Sequence, residues 1–202
     1  MKLRTTLSLL TLLLVSVGAA AQSPYYYYKG EKITLPVDRS CLNIIVKDGA
    51  GLSAVESSLS RDFTVEKREE GQQTDKIVKA KFKTAPSVSS YREAVNSLKQ
   101  NPDIKLVAPY FERGESPIGI ADVFYVKLKD ENDIALLEKV AKEQDVRIVK
   151  QVPYVPGWYI LSLGDSHKEN MLEVPNRFYE TGYFDEVDPA FGFNFSSFPP
   201  TF

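Results

Sequence analysis

Few residues in this chain are of the types that carry catalysis, and they are far apart in sequence. The chain has one histidine, His167, in the polar run 164–168, and one cysteine, Cys41. Nucleophilic catalysis needs a base held beside the nucleophile and oriented by a third group, and no such set is recognisable around His167. We therefore predict that the chain is not an enzyme and that His167 is a solvated loop residue. We interpret Cys41 as a buried, small apolar residue.

The acidic residues Asp130, Glu131 and Asp133 are clustered, but their spacing is not that of a calcium-binding loop. Carboxylates are stabilised at the start of a helix by the helix dipole, so we interpret the cluster as a helix N-terminus capped by Asp130. Cysteine and histidine do not occur with zinc-site spacing, and no glycine-rich phosphate loop is found. The sequence therefore predicts neither a metal nor a cofactor.

The N-terminus has the pattern of a secretory signal peptide. Lys2 and Arg4 precede an apolar run at 7–17, and three alanines at 19–21 precede the predicted cleavage site. The apolar run is too short to span a bilayer comfortably. We expect cleavage after residue 21 and a secreted chain, periplasmic or extracellular, that does not stay in the membrane.

The charge of the mature chain limits its class of partner, and its cysteine content excludes an intrachain disulfide. Removal of the two N-terminal basic residues leaves 23 of the 25 basic residues against 27 acidic ones, a net charge of about −4. A nucleic-acid partner requires a basic face, so this balance argues against one. A single cysteine forms no intrachain disulfide, and the fold must depend on packing.

Two similar stretches show that the chain is a tandem repeat. Residues 104–111 and 184–191 both end in Val-x-Pro-x-Phe, and they lie about 80 residues apart. Each follows a helical pattern that ends at a breaker, Asn101-Pro102 in the first case and Gly182 in the second. Proline lacks the backbone N–H that a central strand needs, so both stretches are predicted to be edge strands.

Strand and helix patterns occur in the same order, βαββαβ, on both sides of this repeat. Such an order in about 70 residues is the split-βαβ, ferredoxin-like arrangement, with both helices on one face of a four-stranded antiparallel sheet. The other face is then open to a partner. Ser90 and Glu93 have the spacing of a capping box for the second helix. Pro175 conflicts with a helix at 169–180, which must be kinked or begin later.

The predicted fold class is α+β, with two tandem ferredoxin-like units preceded by a β-hairpin. The hairpin is indicated by four tyrosines at 25–28, a Lys29-Gly30 turn and alternating residues up to Pro36. We expect the tyrosine strand to cover a sheet edge or a neighbouring domain; a sticky binding strip is the alternative. The predicted divisions are a signal peptide (1–21), the hairpin (22–38), a first repeat (39–112), a linker (113–121), a second repeat (122–192) and an extended tail (193–202).

The second repeat resembles the N-terminal propeptide of secreted subtilisin-like serine proteases, the inhibitor I9 type. The similarity covers about 70 residues and consists of four ordered stretches, at 123–128, 155–161, 176–182 and Val187-Asp188-Pro189. A tyrosine hairpin followed by two such units is similar to the N-terminal region of large secreted subtilases of Bacteroidetes-type bacteria. In that family a catalytic domain follows the tail.

The resemblance implies a non-catalytic prosegment that acts as a folding chaperone and inhibitor of a subtilisin-like protease, in cis or in trans. In the family the open sheet face packs on two protease helices, an acid before the proline caps one of them, and the tail enters the substrate cleft as an added strand. Asp188 has the position of that acid, where the first repeat has Ala108. The residues expected to dock are Glu186, Asp188, Pro189, Phe191, Phe193 and Phe195.

A fold does not determine a function, so a second hypothesis remains. The chain could be a stand-alone secreted two-domain module. Such a module would bind either a small ligand at the domain interface or a surface protein. The two hypotheses require different surfaces. A docking prosegment needs an apolar open sheet face, whereas a ligand module needs a closed pocket with convergent polar groups.

Overall fold

The computed structural model describes residues 23–47, 49–67, 76–113, 117–163 and 171–191. These residues form an α+β fold with four helices and three antiparallel sheets, of two, four and four strands. The predicted fold class is confirmed at this level. The predicted signal peptide, His167, Phe193, Phe195 and the rest of the tail lie outside the described residues. No helix in the described ranges is long and apolar enough to cross a membrane.

A two-stranded hairpin comes first, formed by β1 (Tyr25–Tyr28) and β2 (Glu31–Thr34). Its turn residues, Lys29 and Gly30, have φ angles of 48° and 83°. Two successive left-handed residues are typical of the type I′ turn, whose twist matches that of the strands.

Two units of six elements follow, and they have the same connectivity. The first has strand order β4-β5-β3-β6 and the second β10-β7-β9-β8, so in each the last strand lies at an edge beside the first strand. The elements of the first unit are β3 (Val37–Val46), α1 (Leu52–Leu59), β4 (Phe63–Lys67), β5 (Lys76–Phe82), α2 (Val88–Lys99) and β6 (Ile104–Phe111). Those of the second are β7 (Ile120–Leu128), α3 (Ile134–Glu143), β8 (Val146–Gln151), β9 (Trp158–Leu163), α4 (Glu173–Glu180) and β10 (Phe184–Phe191).

Each four-stranded sheet packs its helices on one face, in agreement with strand alternation. In the first unit, α1 and α2 cover a cluster that includes Leu42, Ile44 and Val107. In the second unit, α3 and α4 cover a cluster that includes Phe124 and Leu161. Burial of these apolar residues supplies the main stabilisation of each unit.

Two of the predicted helix starts are wrong by three residues. Ser87, not Ser90, caps α2: the Ser87 hydroxyl accepts a hydrogen bond from the backbone N–H of Ser90, which lies inside the helix. The predicted Ser90–Glu93 capping box is therefore not formed. Asp133, not Asp130, caps α3 by accepting from the N–H of Leu136, while Asp130 bonds within the preceding turn.

The conflict at Pro175 is resolved by the position of α4. This helix begins at Glu173 rather than at residue 169, so Pro175 lies in its first turn. The first backbone N–H groups of a helix have no intrahelical partner. The missing N–H of proline therefore costs nothing at this point.

The second face of the first sheet is packed against the second unit. Asn43, which is 0 % exposed, donates from its side-chain amide to the carbonyl oxygen of Ile120 at 2.9 Å. Lys105 Nζ lies 2.6 Å from Asp122 Oδ2. Apolar residues of the same face, among them Ala108, belong to one cluster with those of the second unit. The expectation that this face is open to a partner is therefore wrong for the first unit.

The tyrosine hairpin packs on the second unit. This agrees with the expectation that the tyrosine strand covers a neighbouring domain. The Tyr27 ring stacks on Tyr179 of α4, with ring centroids 4.2 Å apart, and its hydroxyl donates to Glu180 at 2.9 Å. On the other side of the strand, Tyr26 meets the Phe191 ring edge to face at 4.9 Å. These tyrosines are thus internal packing residues of the described structure.

Candidate functional site

The face of the second sheet that carries no helix forms a separate apolar cluster. We call it the helix-free face. Its members come from three strands and from the loop after β8: Ala121, Val123 and Tyr125 of β7, Trp158 and Ile160 of β9, Ala190 of β10, and Val152 and Val155 of the loop. Because side chains alternate along a strand, every second residue of β7 and β9 points to this face.

Asp188 is a half-buried carboxylate on the helix-free face. It lies on the edge strand β10 and is paired with Tyr125 of β7. Burial, reinforced by the nearby charge of Glu186, raises the pKa of Asp188 from 3.8 to about 6. Within the part of the chain that the structure describes, its carboxylate has no hydrogen bond or ion pair. A carboxylate in such a place is stabilised only when donors or a positive charge arrive from outside.

Lys127, a cation of β7 on the same face, is engaged by two other carboxylates. Phe184 pairs with Leu128 and Glu186 with Lys127, so Asp185 is an additional residue that makes a bulge in β10. The bulge brings both acids to the amine: Lys127 Nζ lies 2.7 Å from Asp185 Oδ2 and 3.3 Å from Glu186 Oε1. The bond to Asp185, opposed by burial and reinforced by Glu186, raises the pKa of Lys127.

The predicted docking residues that the structure describes are divided between the two faces of the second sheet. Glu186 and Asp188 lie on the helix-free face. Pro189 is buried and pairs with Phe124, which points toward the helices. Phe191 is partly buried against Tyr26 on that same side. Only the two acids therefore belong to a common surface with the apolar cluster.

Three residues of the helix-free face were missed as site candidates by sequence reasoning: Tyr125, Trp158 and Ile160. Tyr125 and Trp158 are buried, and Ile160 is half-buried. Burial raises the pKa of Tyr125. The signal was present in the sequence, because the alternation of β7 and β9 assigns these residues to the side opposite Phe124 and Leu161.

The matching position of the first unit lacks this chemistry. Ala108 corresponds to Asp188 in the repeated Val-x-Pro-x-Phe stretch, pairs with Asn43 and is 1 % exposed. It lies in the contact between the two units. Only the second unit therefore has an acid at this position on a helix-free face.

Replacement of Asp188 by asparagine is expected to stabilise the fold at pH 7.5 by about 1–2 kcal/mol. The pKa of Asp188 is higher in the folded chain than in the unfolded one, so its contribution to stability is complete below pH 4 and is lost as the pH rises through 6. Two pKa units correspond to ~3 kcal/mol, which partial exposure reduces. Urea unfolding at pH 7.5 and pH 4 measures the difference.

A matched control for this measurement is Asp185→Asn. Asp185 is exposed and paired with Lys127, so its replacement should change stability by less than about 1 kcal/mol at either pH. If Asp188→Asn brings no gain at pH 7.5, or the same gain at pH 4, the carboxylate is not disfavoured by its surroundings.

Comparison of the sequence with protein-family models gives no match, and comparison with curated proteins gives none either. In the described ranges, no three histidine, cysteine, aspartate or glutamate side chains are grouped so that they could hold a metal ion. The function is therefore inferred from the helix-free face and its carboxylate.

Proposed function

We propose that the chain is a secreted, non-catalytic prosegment that serves a subtilisin-like serine protease as folding chaperone and inhibitor, in cis or in trans. The second unit and the tail that follows it make the contact. In this proposal each unit is a ferredoxin-like domain, which the shared strand order supports. The second unit is then of the inhibitor I9 type that its sequence resembles.

The observation that carries the proposal is the half-buried Asp188 carboxylate on an apolar face. The N-terminus of a helix offers unpaired backbone N–H groups and the positive end of the helix dipole. Such a terminus supplies what Asp188 lacks within the described chain. The half-buried Val155 and Ile160 of the same face then pack on the side of the same partner helix.

The first unit supports the second and does not dock by itself. Its own second face is occupied by the contacts of Asn43 and Lys105 with β7. This arrangement supports one docking surface and one protease per chain. The packing of the two units through these residues also supports docking over the alternative of a ligand module with a pocket at the interface.

The tail extends the contact in this proposal. β10 is an edge strand, hydrogen-bonded in its sheet to β7 alone. A chain that continues from Phe191 can leave the sheet edge and add as a strand to the substrate cleft of the protease. Phe193 and Phe195 would then be cleft contacts.

The proposal is tested by the inhibition constant of the chain against a secreted subtilisin-like protease domain. A carboxylate at a helix N-terminus contributes about 0.3–1 kcal/mol when exposed and up to ~2 when partly buried. Asp188→Ala should therefore raise the inhibition constant roughly three- to thirty-fold. Truncation after Phe191 should raise it as much or more, because it removes the cleft-filling strand.

Asp185→Ala is the control for this experiment, since Asp185 is exposed and its charge is paired. We expect it to change inhibition by less than about threefold. A wild-type chain that fails to inhibit at micromolar concentration contradicts the proposed function. Inhibition that survives both the Asp188 change and the truncation would place the contact on another surface.

A further inference from the structure

The central residues of the helix-free face are buried, although the described residues supply no apolar cover for them. Val123, Tyr125 and Trp158 are at most 8 % exposed. Side chains stand roughly perpendicular to a sheet, so large rings on an uncovered face keep much of their surface in water. The apolar cluster of this face has members from its own strands and from the loop after β8, and none from a described helix or from the first unit. Burial of the two rings therefore requires a cover that the described ranges do not contain.

Among the segments outside the described ranges, the C-terminal tail has the composition of such a cover. The internal segments 68–75, 114–116 and 164–170 contain no apolar side chain. Residues 1–21 are apolar in part, but they form the predicted signal peptide and are absent from the mature chain. The tail, 192–202, contains four phenylalanines: Phe193, Phe195, Phe198 and Phe202. Each such ring can bury a large apolar area against other rings.

The tail begins beside this face and is long enough to cross it. It follows Phe191 at the end of β10, where the preceding residue, Ala190, is already a member of the helix-free face. Gly192 comes next, and a glycine allows the chain to reverse its direction. The eleven residues 192–202 reach at most about 36 Å when extended. β7 has nine residues and is therefore about 30 Å long, so the tail can run along the whole strand.

We propose that residues 192–202 lie across the helix-free face of the free chain and cover Tyr125 and Trp158 with their phenylalanine rings. This cover is a contact within one chain and does not depend on the proposed function. Its release does rest on that function, because a protease that docks on this face and takes the tail into its cleft must displace the tail from the sheet. The inhibition constant does not separate the two roles of the tail, so the test is made on the free chain.

The fluorescence of Trp158 reports on this face, because the chain has one tryptophan. The mature chain, 22–202, should show blue-shifted emission that acrylamide quenches poorly. Replacement of all four tail phenylalanines by serine should shift the emission to the red and raise the quenching constant several-fold, with the far-UV circular dichroism unchanged. The matched control, Ser196→Ala with Ser197→Ala, keeps the rings and should leave both readings as in wild type. If the phenylalanine replacements leave the emission unchanged, or if the mature chain already exposes Trp158, the tail is not the cover.

A photo-crosslink in the mature chain does not depend on the folding of the variant that lacks the rings. A benzophenone side chain placed at position 195 should attach, on irradiation, to a peptide of the same chain that contains Tyr125 or Trp158, as read by peptide mass. Attachment to a second copy, to a residue away from the helix-free face, or to nothing overturns the cover. A chain that passes both tests but inhibits no subtilisin-like protease contradicts the proposed function and leaves the cover standing.

Discussion

Replacement of Lys105 by methionine is expected to lower the free energy of unfolding by about 3–5 kcal/mol. Lys105 Nζ lies 2.6 Å from Asp122 Oδ2, and the two side chains are only 14 % and 8 % exposed. Methionine fills similar space but leaves the Asp122 carboxylate buried without this cation. Breaking a buried pair from one side costs far more than the pair contributes, because the remaining charge is no longer compensated. Urea unfolding at pH 7.5 measures the loss.

Two further variants show whether the loss comes from the buried charge. The double replacement Lys105→Met with Asp122→Leu should recover most of the stability, since an apolar pair of similar volume often replaces a buried ion pair without loss. Lys139→Met breaks an exposed pair with Glu143 on α3, at 4.0 Å with 68 % and 59 % exposure, and should cost less than about 0.5 kcal/mol. If Lys105→Met costs no more than Lys139→Met, the Lys105–Asp122 pair does not behave as a buried ion pair.

This contact changes the role that the first unit can have. Sequence reasoning gives both sheets an open face. In the structure, the face of the first sheet is packed against the second unit, and the helix-free face of the second sheet has its buried members at most 8 % exposed. Asn43 and Ala108 of the first unit are buried in the contact, so this face of the first unit is not available to a partner. A variant at Lys105 should therefore reduce inhibition through loss of folded chain rather than through a weaker interface.

Local periodicity predicted the elements, because each of them depends on neighbouring residues. The alternation along β7 and β9 and the helical spacing in α1 and α3 are visible in single segments. The turn at Lys29-Gly30 and the edge prolines Pro109 and Pro189 follow from backbone chemistry alone. The N-cap residues were harder to predict from the sequence. Ser87 and Ser90 are equivalent candidates three residues apart, and so are Asp130 and Asp133.

The contacts between segments could not be predicted in the same way. Nothing in the local pattern pairs Lys105 with Asp122 or directs Asn43 to the carbonyl of Ile120. The bulge at Asp185 depends on the register of β10 against β7, and it decides which acids reach Lys127. Strand alternation does separate Asp188 from Pro189, but the resemblance joined them in one docking set. The site therefore lacks Pro189 and Phe191, which lie on the helix side of the sheet. It includes Ile160 and Trp158 of the helix-free face, which the sequence did not predict.

For the proposed inhibitor, inhibition is expected to weaken as the pH falls through 6, and this pH profile tests whether Asp188 is the docking carboxylate. In the free chain, burial and Glu186 raise the pKa of Asp188 to about 6. Contact with a helix N-terminus favours the ionised form and lowers this pKa in the complex. Binding then releases a proton between the two pKa values, so affinity increases with pH over that window and is constant above it. If docking returns the pKa to 3.8, the dissociation constant at pH 4.5 should be roughly 20-fold higher than at pH 7.5.

The measurement must separate Asp188 from the titrating groups of the protease, so binding is followed by calorimetry with a protease whose nucleophile has been replaced. Asp188→Asn is the decisive control: it should bind more weakly than wild type at pH 7.5 and lose the component of the pH dependence that wild type shows near pH 6. Glu186→Gln removes the second cause of the raised pKa of Asp188, so it should move the midpoint of the pH profile to lower pH. A group whose pKa changes on binding makes the affinity depend on pH near that pKa. A wild-type profile that matches that of Asp188→Asn would therefore show that the carboxylate does not meet a helix N-terminus.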